Sequence, residues 1–259
     1  MTWTTRPRSD LGTLAAIIAG EGPSILLIHG VGLRAEAWGA QIDGLSRSCR
    51  VVAVDMPGHG SSAALPDTPD LADFTSALAP CLDGSTVVIG HSFGAMIALD
   101  LAVTHPKQVV GVAALNAIYR RAPEAYAAVL ARARSLDGIT VADPTPPLDR
   151  WFGPGPSPER AACKDWLLGV DQAGYKAAYD VFAREDGPAD HALSALPCPA
   201  LFMTGAEEPN STPHMSQAMA ALSPNGRAVV IAGAAHMMPM THAGEINAQL
   251  ATFIHECIP

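Results

Sequence analysis

Gly90-His91-Ser92-Phe93-Gly94 carries the most specific chemical signal in the chain. A serine hydroxyl is a weak nucleophile, and it attacks a carbonyl only when it is exposed, aimed and deprotonated by a neighbour. A sharp turn from a strand into a helix does the aiming. It crowds the backbone so tightly that only hydrogen fits two residues to either side of the serine, which accounts for both glycines. The same turn leaves the amide of Phe93 at a helix start, where oriented N–H groups favour negative charge. A second glycine-bearing stretch, His29-Gly30-Val31-Gly32, follows an apolar run and is able to turn the Val31 amide towards the same point. Val31 and Phe93 are therefore the candidate donors of an oxyanion hole for a tetrahedral intermediate.

The hydroxyl also needs a base, and the base needs an orienting acid. Of the nine histidines, His29, His59 and His91 fall inside turn motifs and read as structural. His236 differs, because Gly233-Ala234-Ala235-His236-Met237 forms a loop between an apolar run and the last helical stretch. Loops at strand C-termini are where ligands meet open α/β sheets. Its place after the serine fits the chain order serine, acid, histidine, with His242 as the alternative. No aspartate follows Asp190, so the acid is expected to be a glutamate in Thr204-Gly205-Ala206-Glu207-Glu208-Pro209-Asn210. Glu208, just before the proline, is the first choice and Glu207 the substitute. Acyl transfer by such a set needs no metal and no cofactor.

These side chains must be delivered by a sheet. Short, continuous aliphatic runs at 25–28, 51–54, 86–89, 109–115, 200–203 and 228–231 lack polar alternation, as expected of parallel strands buried on both faces. Helical stretches at 35–45, 71–82, 92–103, 213–222 and 241–254 separate them, which predicts crossover connections. Segments 3–8 and 14–18 are candidates for antiparallel strands at one edge. From 119 to 190 the rhythm changes. Helical stretches at 124–134, 161–170 and 175–184 surround a patch rich in Pro and Gly at 144–158 with no buried-strand run. This region reads as an insertion between two strands rather than an independent domain. The expected organisation is core at 1–118, helical insertion at 119–190 and core again at 191–259.

Composition narrows the function classes. The 259 residues include 16 Lys+Arg against 25 Asp+Glu, a formal charge of −9, and 49% are hydrophobic. That is a globular balance, and the negative sign argues against nucleic acid or an anionic membrane as partner. No apolar run is long enough to span a bilayer. Arg6 and Arg8 ahead of the apolar stretch 11–19 imitate a signal peptide, but Asp10 and Gly12 interrupt it and the stretch reads well as a strand. Five scattered cysteines show neither a CxxC pair nor metal-ligand spacing, which suits a reducing, cytoplasmic setting.

Taken in this order, the motifs resemble the α/β-hydrolase superfamily over nearly the whole chain. Val54-Asp55-Met56-Pro57-Gly58-His59-Gly60-Ser61 is similar to that family's loop after its fourth strand. The resemblance implies an α/β fold: a mostly parallel eight-stranded sheet flanked by helices, with a helical cap after strand six, where 119–190 lies. The family's usual Gly-x-x-Asp becomes Gly205 to Glu208 here. Within the superfamily, Arg150-Trp151-Phe152, Gly174-Tyr175 through Asp186 and Leu196-Pro197-Cys198-Pro199 resemble the branch of 3-oxoadipate enol-lactonases, with related hydrolases of small esters, carbamates and amides.

That branch implies a small-molecule substrate, expected to bear a carboxylate. Trp151, Phe152 and Met237 are the expected pocket wall, while Arg34 or Arg120 would grip the carboxylate as a bidentate fork. Trp38 reads as core. The expected activity is a serine hydrolase acting on a small ester, lactone or related acyl compound. Two readings compete with it: C–C bond or thioester hydrolysis by the same triad, and a non-catalytic ligand receptor on the same scaffold. A dehalogenase is disfavoured, since that chemistry in this fold uses a carboxylate nucleophile.

Overall fold

The computed structural model describes residues 3–66 and 68–258; residues 1, 2, 67 and 259, which fall within the core ranges expected above, lie outside the described residues. The chain opens with a hairpin, β1 (Ser9–Leu11) and β2 (Leu14–Ala19), followed by β3 (Ser24–Ile28). A 3-10 turn, Ala35–Trp38, leads into α1 (Gly39–Leu45), β4 (Arg50–Val54) and α2 (Leu71–Leu78). Next come β5 (Thr86–His91), α3 (Phe93–Thr104) and β6 (Val109–Leu115). Five helices then run without an intervening strand: α4 (Pro123–Ser135), α5 (Thr145–Phe152), α6 (Pro158–Gly169), α7 (Gln172–Arg184) and α8 (Asp190–Ser194). The chain returns to the sheet with β7 (Ala200–Gly205), α9 (Pro213–Leu222) and β8 (Gly226–Ile231), and ends in α10 (Met238–Thr241) and α11 (Ala243–Cys257).

The sheet has eight strands in the order β1-β2-β4-β3-β5-β6-β7-β8. β2 runs antiparallel to both β1 and β4, and every other pairing is parallel. This is the mostly parallel eight-stranded sheet expected from the sequence. The aliphatic runs of β3, β4, β5, β6 and β7 are buried on both faces, as expected, whereas β8, at the edge of the sheet, is only half-buried. In β3, Leu26 and Ile28 enter the apolar cluster on one side of the sheet, and Ile25 and Leu27 enter the cluster on the other. A third cluster gathers Leu33, Ala37, Leu148, Cys163, Leu167, Tyr175, Met237 and Met240, and it joins the helices between β6 and β7 to the strand ends.

Two expectations need correction. Segment 3–8 is not a strand. Instead the Arg8 guanidinium reaches down to two buried carboxylates, bonding Glu36 Oε2 at 2.6 Å and Asp55 Oδ2 at 2.8 Å, and the edge strand begins only at Ser9. The proline patch, in turn, hides α5. Pro146 and Pro147 stand in its first turn, where the missing N–H has no intrahelical acceptor to lose and the fixed φ suits a helix. Gly153, at φ 73°, closes it directly after Phe152.

The registers bring four loops to one edge of the sheet. Ile28 pairs with Gly90, His91 with Leu115, Leu115 with Met203 and Gly205 with Ile231, so the loops that follow β3, β5, β7 and β8 emerge side by side.

Candidate active site

Ser92 occupies the turn between β5 and α3 with φ 57° and ψ −119°, a left-handed conformation that a residue with a Cβ rarely adopts. Such strain, of order 1–3 kcal/mol, persists only where the surroundings over-determine it. Here they do. The Ser92 amide donates to Leu115 O at 2.8 Å and its carbonyl accepts from Ala95 N at 3.0 Å. A Cβ at Gly90 would collide with the Gly94 carbonyl, and one at Gly94 with the carbonyls of Ile28 and His29. Gly30, on the neighbouring loop, is so close that its Cβ would lie 3.1 Å from Ser92 Cβ.

The loop after β3 is held by two buried neutral histidines. His29 Nδ1 donates to Gly30 O at 2.8 Å, and its Nε2 accepts from Met56 N at 3.0 Å. His59 Nδ1 donates to Pro57 O, and its Nε2 accepts from Gly32 N at 3.0 Å. Each ring must keep one bare nitrogen for this pattern. Burial agrees, driving His29 down to about 3 with help from the neighbouring His59, and lowering His59 as well. Gly30 O and Gly32 N are thereby engaged, while the intervening Val31 amide has no acceptor among the described residues. The Phe93 amide, in the first helical position, has no intrahelical acceptor either.

Glu208 and His236 meet across the ends of β7 and β8. Glu207 N donates to Ala234 O at 2.9 Å, and a Cβ at Gly205 would strike that same carbonyl, so the two loops touch through backbone. His236 Nδ1 lies 2.9 Å from Glu208 Oε2, and Glu208 Oε1 accepts from the amides of Asn210 at 2.8 Å and Ser211 at 3.3 Å. Burial pushes the Glu208 carboxyl up, but the His236 imidazole and these amides outweigh it and hold it at about 2. Glu207 is exposed. His91, the residue before Ser92, donates from Nε2 to His236 O at 2.8 Å and so ties the serine turn to the histidine loop. Burial and the adjacent His236 keep His91 neutral, down to about 3. His242 instead bonds Thr241 Oγ1 at 2.9 Å and does not line the cavity.

Ser92, Val31 and His236 open onto a cavity of about 330 Å³ between the strand ends and the helices inserted after β6. Trp151 lines it, its indole stacked on the His236 imidazole with ring centroids 5.7 Å apart and 19° between planes. The other expected wall residues do not line it. Phe152 packs into the apolar cluster beneath, and Met237 is buried in the same cluster. Trp38 is core, as expected.

Neither expected arginine reaches the cavity, because each is captured by a nearer carboxylate. Arg34 Nε bonds Glu36 Oε2 at 2.7 Å, and Arg120 Nη2 bonds Asp190 Oδ2 at 2.6 Å on the exposed surface. The arginines that do line it are Arg121, Arg132 and Arg150, and among the described residues no acidic one lines it with them. Arg121 is already engaged, donating to the carbonyls of Phe182 and Glu185. Arg132 and Arg150 have no carboxylate within 4 Å among the described residues. One signal for this wall was available in the sequence. Tyr175, Tyr179 and Phe182 fall on one face of α7, as Ala125, Ala128, Val129 and Arg132 do on α4, and both faces turn to the cavity.

Among the described residues no group of His, Cys, Asp and Glu is arranged to hold a metal ion, and no helix is long and apolar enough to cross a membrane.

Comparison with known proteins gives a consistent grouping. The model of the alpha/beta hydrolase family matches residues 25–249. The (E)-2-((N-methylformamido)methylene)succinate hydrolase of Acinetobacter baylyi is 38% identical over 241 residues, covering 91% of each chain. Among solved structures, the enol-lactonase of Burkholderia xenovorans LB400 superposes with a TM-score of 0.81 at 22% identity, over 96% of this chain and all of that one. An E-2-(acetamidomethylene)succinate hydrolase superposes with a TM-score of 0.79 at 22% identity, over 96% and 98%.

Proposed function

Since the chain belongs to the alpha/beta hydrolase family, we propose that it is a serine hydrolase of small, carboxylate-bearing acyl compounds, acting through Ser92, His236 and Glu208. The observation that carries this reading is the contact of His236 with the buried Glu208, 2.9 Å apart, with His236 opening onto the same cavity as a serine held at positive φ. Ser92 Oγ attacks the substrate carbonyl as its proton passes to the free nitrogen of His236. Glu208 holds the opposite nitrogen and stabilises the imidazolium. The Val31 and Phe93 amides receive the negative oxygen, each worth about 3–4 kcal/mol in comparable sites. Collapse of the intermediate breaks the bond to the leaving group, which takes the proton from His236. Water, deprotonated by the same histidine, then cleaves the acyl-enzyme to a carboxylic acid and restores Ser92.

The substrate class rests on the wall of the cavity. Arg132 and Arg150 are two guanidinium forks with no carboxylate partner among the described residues, and a planar fork matches a carboxylate in bidentate geometry. The Acinetobacter relative is named for a substituted succinate, which carries two carboxylates and an N-acyl group. We assign this chain to the same chemical class, an N-acylaminomethylene dicarboxylate or a close acyl analogue, with Arg132 and Arg150 in the role first expected of Arg34 and Arg120.

A hydrolysis screen tests both parts. Small neutral esters, enol-lactones, N-acylaminomethylene succinates and β-diketones are offered to the wild type and to Ser92→Ala. The expected result is the highest kcat/KM on the dicarboxylate amide, all of it lost in Ser92→Ala, with Ser92 as the site of labelling by a serine-reactive phosphonate. Tight binding of these compounds without Ser92-dependent turnover would make the chain a receptor instead.

A further inference from the structure

The stack of Trp151 on His236 joins the roof of the cavity to the group that moves the proton. Trp151 lies in the last turn of α5, and its indole is nearly parallel to the imidazole. The helix is pinned close to that point. Leu148 is buried in the cluster that contains Leu33, Met237 and Met240, and Arg160 fastens α5 to α6 through Asp149 at 2.6 Å and Gly153 O at 3.0 Å. The anchor of α5 therefore includes Met237, the residue next to His236. An aromatic face holds a neutral imidazole by ordinary stacking, and it attracts the imidazolium further through its quadrupole.

Resting on the reading of His236 as the base, we propose that Trp151 is a positioning residue that holds the His236 ring from the roof and stabilises its charged form, so that the base is fully assembled only while α5 rests on the strand ends. The groups facing the ring from each packed element divide by sign. Glu208 from the loop after β7 and Trp151 from α5 favour the imidazolium. Arg121, Arg132 and Arg150 across the cavity oppose it. His91 from β5 is neutral, with its ring 4.9 Å away, and Tyr175 and Tyr179 of α7 are uncharged hydroxyls.

The test compares Trp151→Leu, which keeps apolar bulk without a π face, with Trp151→Phe, which keeps a smaller face. The pH midpoint of the His236 ring is read by NMR of the imidazole nitrogens, assigned with His236→Gln, and needs no turnover. In Trp151→Leu the midpoint is expected about one unit lower than in wild type, and Trp151→Phe falls between. The acid limb of kcat/KM for p-nitrophenyl acetate, a neutral ester that makes no demand on the arginines, moves the same way, with kcat about tenfold lower and KM little changed. If Leu and Phe variants that fold as wild type both titrate with the wild-type midpoint, the indole is only packing and the proposal fails. If the wild type shows no Ser92-dependent turnover, the functional reading fails instead, and the two failures are separately visible.

Discussion

On the floor of the cavity, the loops carrying Val31, Ser92, Glu208 and His236 press on one another through backbone. On the roof, α4, α5 and α7 present Arg132, Arg150, Trp151, Tyr175 and Tyr179 from helices whose outer faces meet solvent. Collisions on the floor would come from any Cβ at Gly90, Gly94 or Gly205, and two neutral histidines fix the peptides on either side of Val31. Proton transfer and oxyanion binding tolerate errors of only a few tenths of an ångström, and backbone-to-backbone contact supplies that rigidity. The roof has looser needs. Long side chains on helices can be exchanged without disturbing the sheet, so under the proposed function the roof is where this scaffold would choose its substrate. One point of contact between the layers is as tight as the floor. Gly58, after β4, meets Gly174 of α7 so closely that neither has room for a side chain.

If the floor performs the chemistry and the roof the selection, floor variants should lose kcat on every substrate, and roof variants should lose KM on charged substrates alone. The largest effect is expected for Ser92→Ala and His236→Ala. Each should lower kcat on the order of 10⁶-fold, and the double variant should be little worse, because the pair acts as a unit. His242→Ala should stay within twofold of wild type, and steady-state hydrolysis of p-nitrophenyl acetate measures all four.

A smaller loss, on the order of 10⁴-fold in kcat, is expected for Glu208→Gln, with Glu207→Gln unaffected. The reverse outcome would move the acid to Glu207. Glu208 also leaves a mark on stability. Its folded value, about 2, lies below the ordinary 4.5, so its contribution is fully present above pH 4.5 and is lost as pH falls towards 2. That contribution is about 3 kcal/mol. Urea denaturation at pH 6, 4 and 2.5 should show this decline in wild type and a flatter one in Glu208→Gln.

The smallest effect sharpens the contrast most. Arg132→Ala and Arg150→Ala should each raise KM for a dicarboxylate substrate by about 10- to 100-fold, the worth of one charge-assisted contact. Neither should change kcat/KM for p-nitrophenyl acetate by more than about twofold. Equal losses on both substrates would erase the division between floor and roof.

The sequence by itself determined the floor. Strand, turn and helix succeed one another within a dozen residues around Ser92, and the same local grammar places Val31, Glu208 and His236 at the ends of strands that parallel pairing must bring together. The inner strands of the sheet were legible for the same reason, since strands buried on both faces read as unbroken aliphatic runs, whereas the edge strand β1 was not. What only the tertiary structure decided was the roof. Pro146 and Pro147 read as a break until the turn they begin is seen to be the first turn of α5. Arg34 and Arg120 were as eligible as Arg132 and Arg150 until Glu36 and Asp190 were found beside them. Whether a guanidinium faces a cavity or a carboxylate depends on helix rotation and on partners up to seventy positions away, and no local pattern of residue types encodes either.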